Sequence, residues 1–255
     1  MKNKIKPFFS IITVTKNSEK YIERNIKSLQ NQSLKDFEHI IVDGNSIDRT
    51  IQIIKKNRNK VDYFISESDK NMWQGINKGL KVAKGQVIGI LNSDDIFFKN
   101  GLKIVKKNFI NQNLDCLFAS VQKHKIHHGV RLDKINYKFN IFPSHSVGFF
   151  LKKKIYDKIG FYDENLKYCA DYDLIYKISK HNLKIGTTSK NEVVGKFFPG
   201  GISENINYIS YVYYQSKVRI KNNQNIFYVI FLSILTIIYK YFLDIFKIKI
   251  NKIFK

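Results

Sequence analysis

The chain is expected to fold as an α/β domain, with a mixed, mainly parallel central sheet flanked by helices, followed by a hydrophobic helical tail. Three observations predict this. Strand-like and helix-like segments alternate through the first hundred residues. Polar residues gather where the strands end, the edge at which open α/β sheets bind their ligands. Residues 226–246 are almost all apolar.

FFSIITVT (Phe8–Thr15) reads as the first buried strand. It follows a basic start, but its apolar run is short, contains Ser10 and Thr13, and meets no small-residue cleavage site, so a signal peptide is the poorer reading. Ser18–Gln30 carries helical spacing at Tyr21, Ile22, Ile26 and Leu29. EHIIVDG (Glu38–Gly44) is a second strand and Ile47–Lys56 a second helix, capped by Asn45 or Ser46, with Asp48 in its first turn. VDYFIS (Val61–Ser66), Asn71–Lys84 and Gln86–Leu91 add a strand, a helix and a strand. Beyond residue 98 the pattern is less regular. Leu114–Val121 and Val130–Tyr137 read as strands, Lys152–Ile159 and Ala170–Lys180 as helices, and Glu192–Phe198 as a strand before a Pro-Gly-Gly turn. These spans divide into a domain over 1–204, with a ligand-binding half (1–98) and a second half (99–204), and a tail over 205–255.

The 255 residues are 44% apolar, enough for a substantial core and too much for a disordered chain. A net charge of +23 would ordinarily point to nucleic acid or an anionic membrane. Only five of the basic residues are Arg, however, and the abundance of Lys, Asn and Ile is the mark of compositional drift. No nucleic-acid partner is expected, because a groove lined by Asp would repel phosphate. Cys116 and Cys169 are too few for a disulfide framework or a zinc site and fit a reducing compartment. No internal repeat is visible.

The chemistry concentrates in short segments. NSDD (Asn92–Asp95) follows an apolar strand with two adjacent carboxylates. They repel unless a cation lies between them, and hard oxygens suit Mg2+ or Mn2+ bridging a diphosphate; the alternative is a turn capping a helix. Asp43 ends its strand where it could accept hydrogen bonds from a base or ribose. ADYDL puts Asp171 and Asp173 in the first turn of a helix, as dipole-complementing charges or with one of them as a general base. Gly200 and Gly201 precede Ser203 in a loop that either approaches phosphate or turns the chain. His145 is a packed histidine more readily than a catalyst, and His124, His127 and His128 read as a solvated loop.

In this order SIITVTKN, VDGNSIDRT, SESDKNMWQGINKGLKVAKGQVIGILNSDD, HSVGFFLKKKIYDKIGFYDENL, ADYDL and GGIS resemble the family-2 glycosyltransferases of the GT-A fold, over roughly residues 8–205. The resemblance is nearest to small bacterial enzymes that build capsule, exopolysaccharide or O-antigen units. It implies a Rossmann-like nucleotide-binding half and an inverting transfer from a nucleotide-sugar, UDP-linked by preference, to a glycan or lipid-linked glycan. It implies Mn2+ or Mg2+ as cofactor. By position, Thr15, Asn17, Asp43, Asp69, Asn77 and Asp94 would bind the nucleotide-sugar, and Asp95, with Asp94, the metal. Asn92 replaces the first carboxylate of the family's Asp-x-Asp element. Asp171 would be the base, with Ala170 where the family often has Glu. Trp73 would pack on the donor or on the core; His145, Gly200, Gly201 and Ser203 are further candidate contacts with donor or acceptor.

Two other functions were weighed against this one. A sugar nucleotidylyltransferase would show a Gly-rich basic loop after the first strand, where this chain has TVTKNSEKY. A non-enzymatic basic protein binding polyanions or membranes explains the charge but not the acidic sheet edge. In the tail, Ser233, Thr236, Lys240, Asp244 and Lys247 recur at helical spacing and form one narrow polar stripe on an apolar helix, with Lys residues flanking it. A helix lying in or dipping into the cytoplasmic leaflet is expected, which makes the protein cytoplasmic and peripheral on the inner face of the cell membrane. Packing on the catalytic domain and homodimerisation are the alternatives.

Overall fold

A computed structural model describes residues 6–139, 146–199 and 206–253, with side chains up to residue 243. The order is β1 (Phe9–Thr15), α1 (Ile22–Gln30), β2 (Phe37–Asp43), α2 (Thr50–Lys56), β3 (Tyr63–Ser66), α3 (Met72–Val82), β4 (Val87–Ile90), β5 (Ile96–Phe97) and α4 (Gly101–Asn111). It continues through β6 (Cys116–Phe118), β7 (Ser120–Gln122), β8 (Ile126–His127), β9 (Phe149–Lys152), α5 (Lys153–Ile159), α6 (Ala170–Ser179), β10 (Ile185–Thr187), β11 (Val193–Lys196), α7 (Tyr208–Lys221) and α8 (Ile226–Ile253).

Seven strands form one sheet in the order β10-β6-β9-β4-β1-β2-β3. Strands β4, β1, β2 and β3 run parallel, while β9 is antiparallel to both β4 and β6. The parallel strands are apolar on both faces because both faces are covered. Ile12, Ile40, Val42, Ile88 and Ile90 face α3, α5 and α6 in one core. Phe9, Ile11 and Val87 face a second core that includes Leu102, Val105 and Phe109 of α4, and Ile41 packs with Ile22, Ile26 and Ile54 of α1 and α2. A smaller sheet, β5-β11-β7-β8, closes over the carboxyl edge of β4.

Several boundaries moved for identifiable reasons. The first helix begins at Ile22 rather than Ser18, because the Ser18 carbonyl accepts from the amides of Tyr21 and Ile22 in a tight turn. The second begins at Thr50 rather than Ile47: the Ile47 amide is taken by the Asn17 side chain, and Asp48, not Asn45 or Ser46, accepts from the Thr50 amide. Leu114–Val121 is not one strand but two, β6 in the large sheet and β7 in the small one, parting at Ala119, whose amide donates to the Gly148 carbonyl. Val130–Tyr137 is not a strand. Leu132–Lys134 forms a 3-10 turn, which suits the three-residue spacing between Leu132 and buried Ile135. The histidine segment is not simply a solvated loop either, since β8 pairs with β7 and His128 Nδ1 lies 2.9 Å from Ser120 Oγ.

Helix α3 sits unusually close to the sheet. Its N-terminus is capped by Asn71, which accepts from the amides of Trp73 and Gln74, and Gly75 and Gly79 face β1. A Cβ on Gly79 would lie 2.5 Å from Ile12 Cγ2, so contact with the strand requires the glycine. Gly79→Ala gains helix propensity of about 1 kcal/mol but overpacks the core by about 1–3 kcal/mol. A lowered Tm is therefore expected on thermal unfolding; a raised one would show that α3 can stand off from β1.

Candidate active site

Parallel pairing brings the carboxyl ends of β1, β2, β3 and β4 to one edge, and hydrogen bonds knit the loops that leave them. The Asn17 amide donates to Ser46 Oγ (2.8 Å), and Asn17 itself takes a left-handed backbone with φ 50°. Ser18 Oγ lies 2.9 Å from Ser93 Oγ. Asp43 is fully buried and accepts from the Ser46 amide and hydroxyl and from Ser66 Oγ. It thus organises the loop from within. Asp69 forms an ion pair with Lys78 at 2.6 Å and lies beside Gly44 and Gly75, so it lines the same edge. Thr15 Oγ1 is buried there with no hydrogen-bond partner among the described residues.

Two of the candidates serve a neighbouring purpose. The side chain of Asn77 is wholly engaged by the backbone at Tyr162 and the carboxylate of Glu164. Trp73 is buried, stacks on Tyr162 with ring centroids 5.2 Å apart, and donates from Nε1 to the Lys167 carbonyl. Of the two uses open to it, the structure shows the core. Together with Asn71, which donates to the Glu164 carbonyl, these residues fix the segment 162–167 to the N-terminal end of α3, at the sheet edge where that helix begins. That segment leads into α6 and Asp171.

The two carboxylates of α6 have opposite fates. Asp173 is buried in ion pairs with Lys177 (3.0 Å) and Lys221 (3.1 Å), and Asn222 donates to it. It cannot also take a substrate proton. Asp171 has no such ion pair among the described residues; its carboxylate accepts the Tyr172 amide at 2.8 Å. Its side chain is accessible to solvent although protein crowds around it, and this desolvation pushes its pKa up to about 6.

The Asn92–Asp95 turn closes through a hydrogen bond from the Asp95 amide to the Asn92 carbonyl. Burial, and then the charge of Asp94, push Asp95 up to about 8, against the Phe198 amide that donates to its Oδ1. Asp94 is also raised, chiefly by burial. Arg24 holds the Asp94 carbonyl and stacks 3.9 Å from the centre of the Phe198 ring. Neither Arg24 nor Phe198 carried any signal in the sequence, where one sits on a polar helix face and the other ends a strand. The donor set suits a hard divalent cation: two carboxylates, with Asn92 Oδ1 as a buried acceptor lacking a partner among the described residues. Among those residues no group of three or more His, Cys, Asp or Glu gathers to hold a metal, so such an ion would complete its shell from substrate and water. His145, Gly200, Gly201 and Ser203 lie outside the described residues.

The model of the family described as "Glycosyl transferase family 2" matches residues 10–166. An uncharacterised glycosyltransferase of Rickettsia typhi is 28% identical over 191 residues, 69% of this chain and 59% of that protein. The GalNAc(5)-diNAcBac-PP-undecaprenol beta-1,3-glucosyltransferase of Campylobacter jejuni is 36% identical over 100 residues, 38% of this chain and 32% of its own length. Among solved structures, residues 1–349 of TarS from S. aureus in complex with UDP-GlcNAc align with a TM-score of 0.67 at 22% identity, covering 87% of this chain and 69% of that one. The mannosyltransferase PcManGT from Pyrobaculum calidifontis, in complex with GDP-Man and Mn2+, aligns with a TM-score of 0.61 at 15% identity, covering 86% and 64%. The fold is GT-A, a mixed α/β architecture with a mainly parallel central sheet.

Asp95 binds its proton more tightly in the folded protein, near pH 8, than in the unfolded chain, where a carboxyl titrates at about 3.9. Its contribution to stability is complete below about pH 4 and is lost as the pH rises toward 8. In EDTA, Asp95→Asn should therefore have a higher Tm than the wild type at pH 8, with the advantage shrinking toward pH 5. A pH-independent difference would contradict the raised value.

Proposed function

We propose, starting from the fact that this chain belongs to glycosyl transferase family 2 and is a glycosyltransferase, that it performs a metal-assisted inverting transfer from a UDP-sugar to a hydroxyl of a lipid-linked glycan. The observation that carries this reading is the pair of crowded carboxylates, Asp94 and Asp95, at the edge shared by four parallel strands. The UDP-GlcNAc in the TarS complex and the undecaprenol-linked acceptor in the Campylobacter enzyme's name support the choice of donor and acceptor. Because the chain spans 59% of its Rickettsia relative and 32% of the Campylobacter one, both remain proposals for this protein.

In this mechanism Asp94 and Asp95, with Asn92, would hold a divalent cation such as Mn2+ or Mg2+. Bound there, it would supply positive charge to neutralise the diphosphate as it leaves. Thr15, Asn17, Asp43 and Asp69 shape the nucleotide pocket, and Asn77 supports it through the 162–164 segment. Asp171 accepts the proton of the acceptor hydroxyl. The acceptor oxygen bonds to the anomeric carbon as the bond to the diphosphate oxygen breaks and its electron pair leaves with the nucleotide. One displacement inverts the anomeric configuration.

The tail fits a peripheral place on the inner face of the cell membrane. Helix α8 is long and apolar enough to cross a membrane by length and composition. Two residues of its polar stripe turn toward α7, where Ser233 Oγ lies 2.8 Å from Ser216 Oγ and Lys240 sits over the Tyr208 ring. Phe227, Phe231, Ile234, Leu235 and Phe242 face outward and are exposed. Such a face suits the hydrocarbon of one leaflet; in a dimer it would meet its own copy.

A thermal-shift series with UDP-, GDP- and dTDP-sugars and Mn2+ should single out UDP-sugars; preference for another nucleotide would overturn the choice of donor. Asp171→Asn should keep that donor-dependent shift while lowering kcat about 10²–10⁴-fold, and the wild-type kcat should fall below pH 6 as the base protonates. Transfer at the wild-type rate would remove Asp171 from the role. Removing residues 226–255 should release the protein from vesicles containing anionic lipid; continued sedimentation with them would place the membrane contact elsewhere.

A further inference from the structure

Helix α1 carries an amide where its pattern calls for a hydrocarbon. Ile22, Ile26 and Leu29 form its buried face, and Asn25, on that face, is completely buried. A polar side chain in that place is costly unless its hydrogen bonds are met, and all of those made by Asn25 run toward the Asn92–Asp95 turn or orient the amide for it. Nδ2 donates to the Asn92 carbonyl at 2.8 Å and to the Asp95 carbonyl at 3.1 Å, the two ends of the turn. Oδ1 accepts from Thr13 Oγ1 at 3.3 Å. The amide cannot be flipped, because both carbonyls need a donor.

The chain of bonds extends one step further. Thr13 gives its proton to Asn25, so it accepts from His39 Nε2, 3.0 Å away. Burial lowers the pKa of His39 to about 3, so the imidazole stays neutral. The network therefore has a fixed direction, from β2 through β1 and α1 to the turn. Ser28, one turn along the same helix, and Gln32, just past its end, hold the backbone beyond the turn: the Phe97 amide donates to Ser28 Oγ, and Gln32 pairs with the Phe98 carbonyl and the Leu102 amide.

We propose that Asn25 is the positioning residue of the metal turn, setting through the two gripped carbonyls how the carboxylates of Asp94 and Asp95 are placed. The assignment rests on the metal reading of that turn. Side chains that bind a cation gain from geometry fixed in advance, since an ion that must first order a loop binds more weakly. Merely satisfying two carbonyls could be left to water at a loop on the sheet edge. Asn25 instead ties both to the sheet.

The test is titration of the full chain with Mn2+ in the presence of UDP, followed by the electron paramagnetic resonance of free Mn2+ and paired with thermal unfolding. Asn25→Leu, which fills a similar volume, is expected to weaken Mn2+ binding at least tenfold while metal-free UDP binding stays within twofold. Thr13→Val keeps Asn25 but removes the hydroxyl that orients it; a two- to fivefold weakening is expected, and this variant decides the matter if Asn25→Leu folds poorly. Val218→Ala, a core truncation in α7, should lower Tm and leave Mn2+ affinity unchanged. Wild-type affinity in a folded Asn25→Leu or, failing that, in Thr13→Val overturns the proposal, as does a loss of affinity in Val218→Ala that tracks its Tm. Asp95→Ala separates the two readings: if it still binds Mn2+, the metal site itself is refuted, whereas loss there with retention in Asn25→Leu refutes only the positioning role.

Discussion

Four strands that run side by side in one direction must release their chains at one edge, and that edge is where this molecule puts the carboxylates whose ionisation burial opposes. The parallel register of β4, β1, β2 and β3 is sustained by apolar side chains on both faces. It makes the edge a fixed frame to which the loops need only be fastened. Asp43 fastens one loop by spending its own carboxylate on serines, and Asp48 fastens another by accepting the amides of Thr50 and Glu19. The Asn92–Asp95 turn, where the Phe198 amide donates to Asp95, and Asp171 carry the carboxylates whose ionisation burial opposes.

Those groups are held at a cost to the fold. A buried carboxylate pair resists ionisation, and the raised values of Asp94 and Asp95 express that resistance. Asp173 shows the contrast: fully buried, it is matched by two lysines and an asparagine and strengthens the packing of α6 on α7. Sequence spacing treats Asp171 and Asp173 alike, since both lie in the first turn of a helix. Their difference depends on Lys221 and Asn222, some fifty residues further on, which no local pattern can relate to them.

The same distinction separates what was legible in the sequence from what was not. Strands β1 to β4 and helices α3, α5 and α6 were readable because local periodicity and burial agree in them. The division of Leu114–Val121 between two sheets was hidden, because no glycine or proline marks Ala119 and the break is imposed by the approach of Gly148. Helix α4 escaped notice, and α7 was expected only as an undivided part of the helical tail over 205–255. Helix α7 mixes tyrosines and cations on faces that meet two different neighbours, and so lacks a clean apolar stripe. In the site, the carboxylates could be found by their place after a strand, whereas Asn25, Arg24 and Phe198 act through backbone contacts about seventy or a hundred residues away.

Helix α7 has one further implication, for how such proteins are rearranged. On one side Arg219 is buried against the carbonyls of Asn136 and Lys138 and near Tyr172, beside the base-bearing turn; on the other side Ser216 meets α8. The tail is therefore not a detachable anchor joined by a linker. A chimera that exchanged α8 alone would graft a foreign helix onto a surface shaped for Ser233 and Lys240, while one that exchanged α7 alone would strip Asp173 of Lys221, one of its two lysines. The smallest transplantable module on this face is the helical pair, and its natural joint lies before Tyr208.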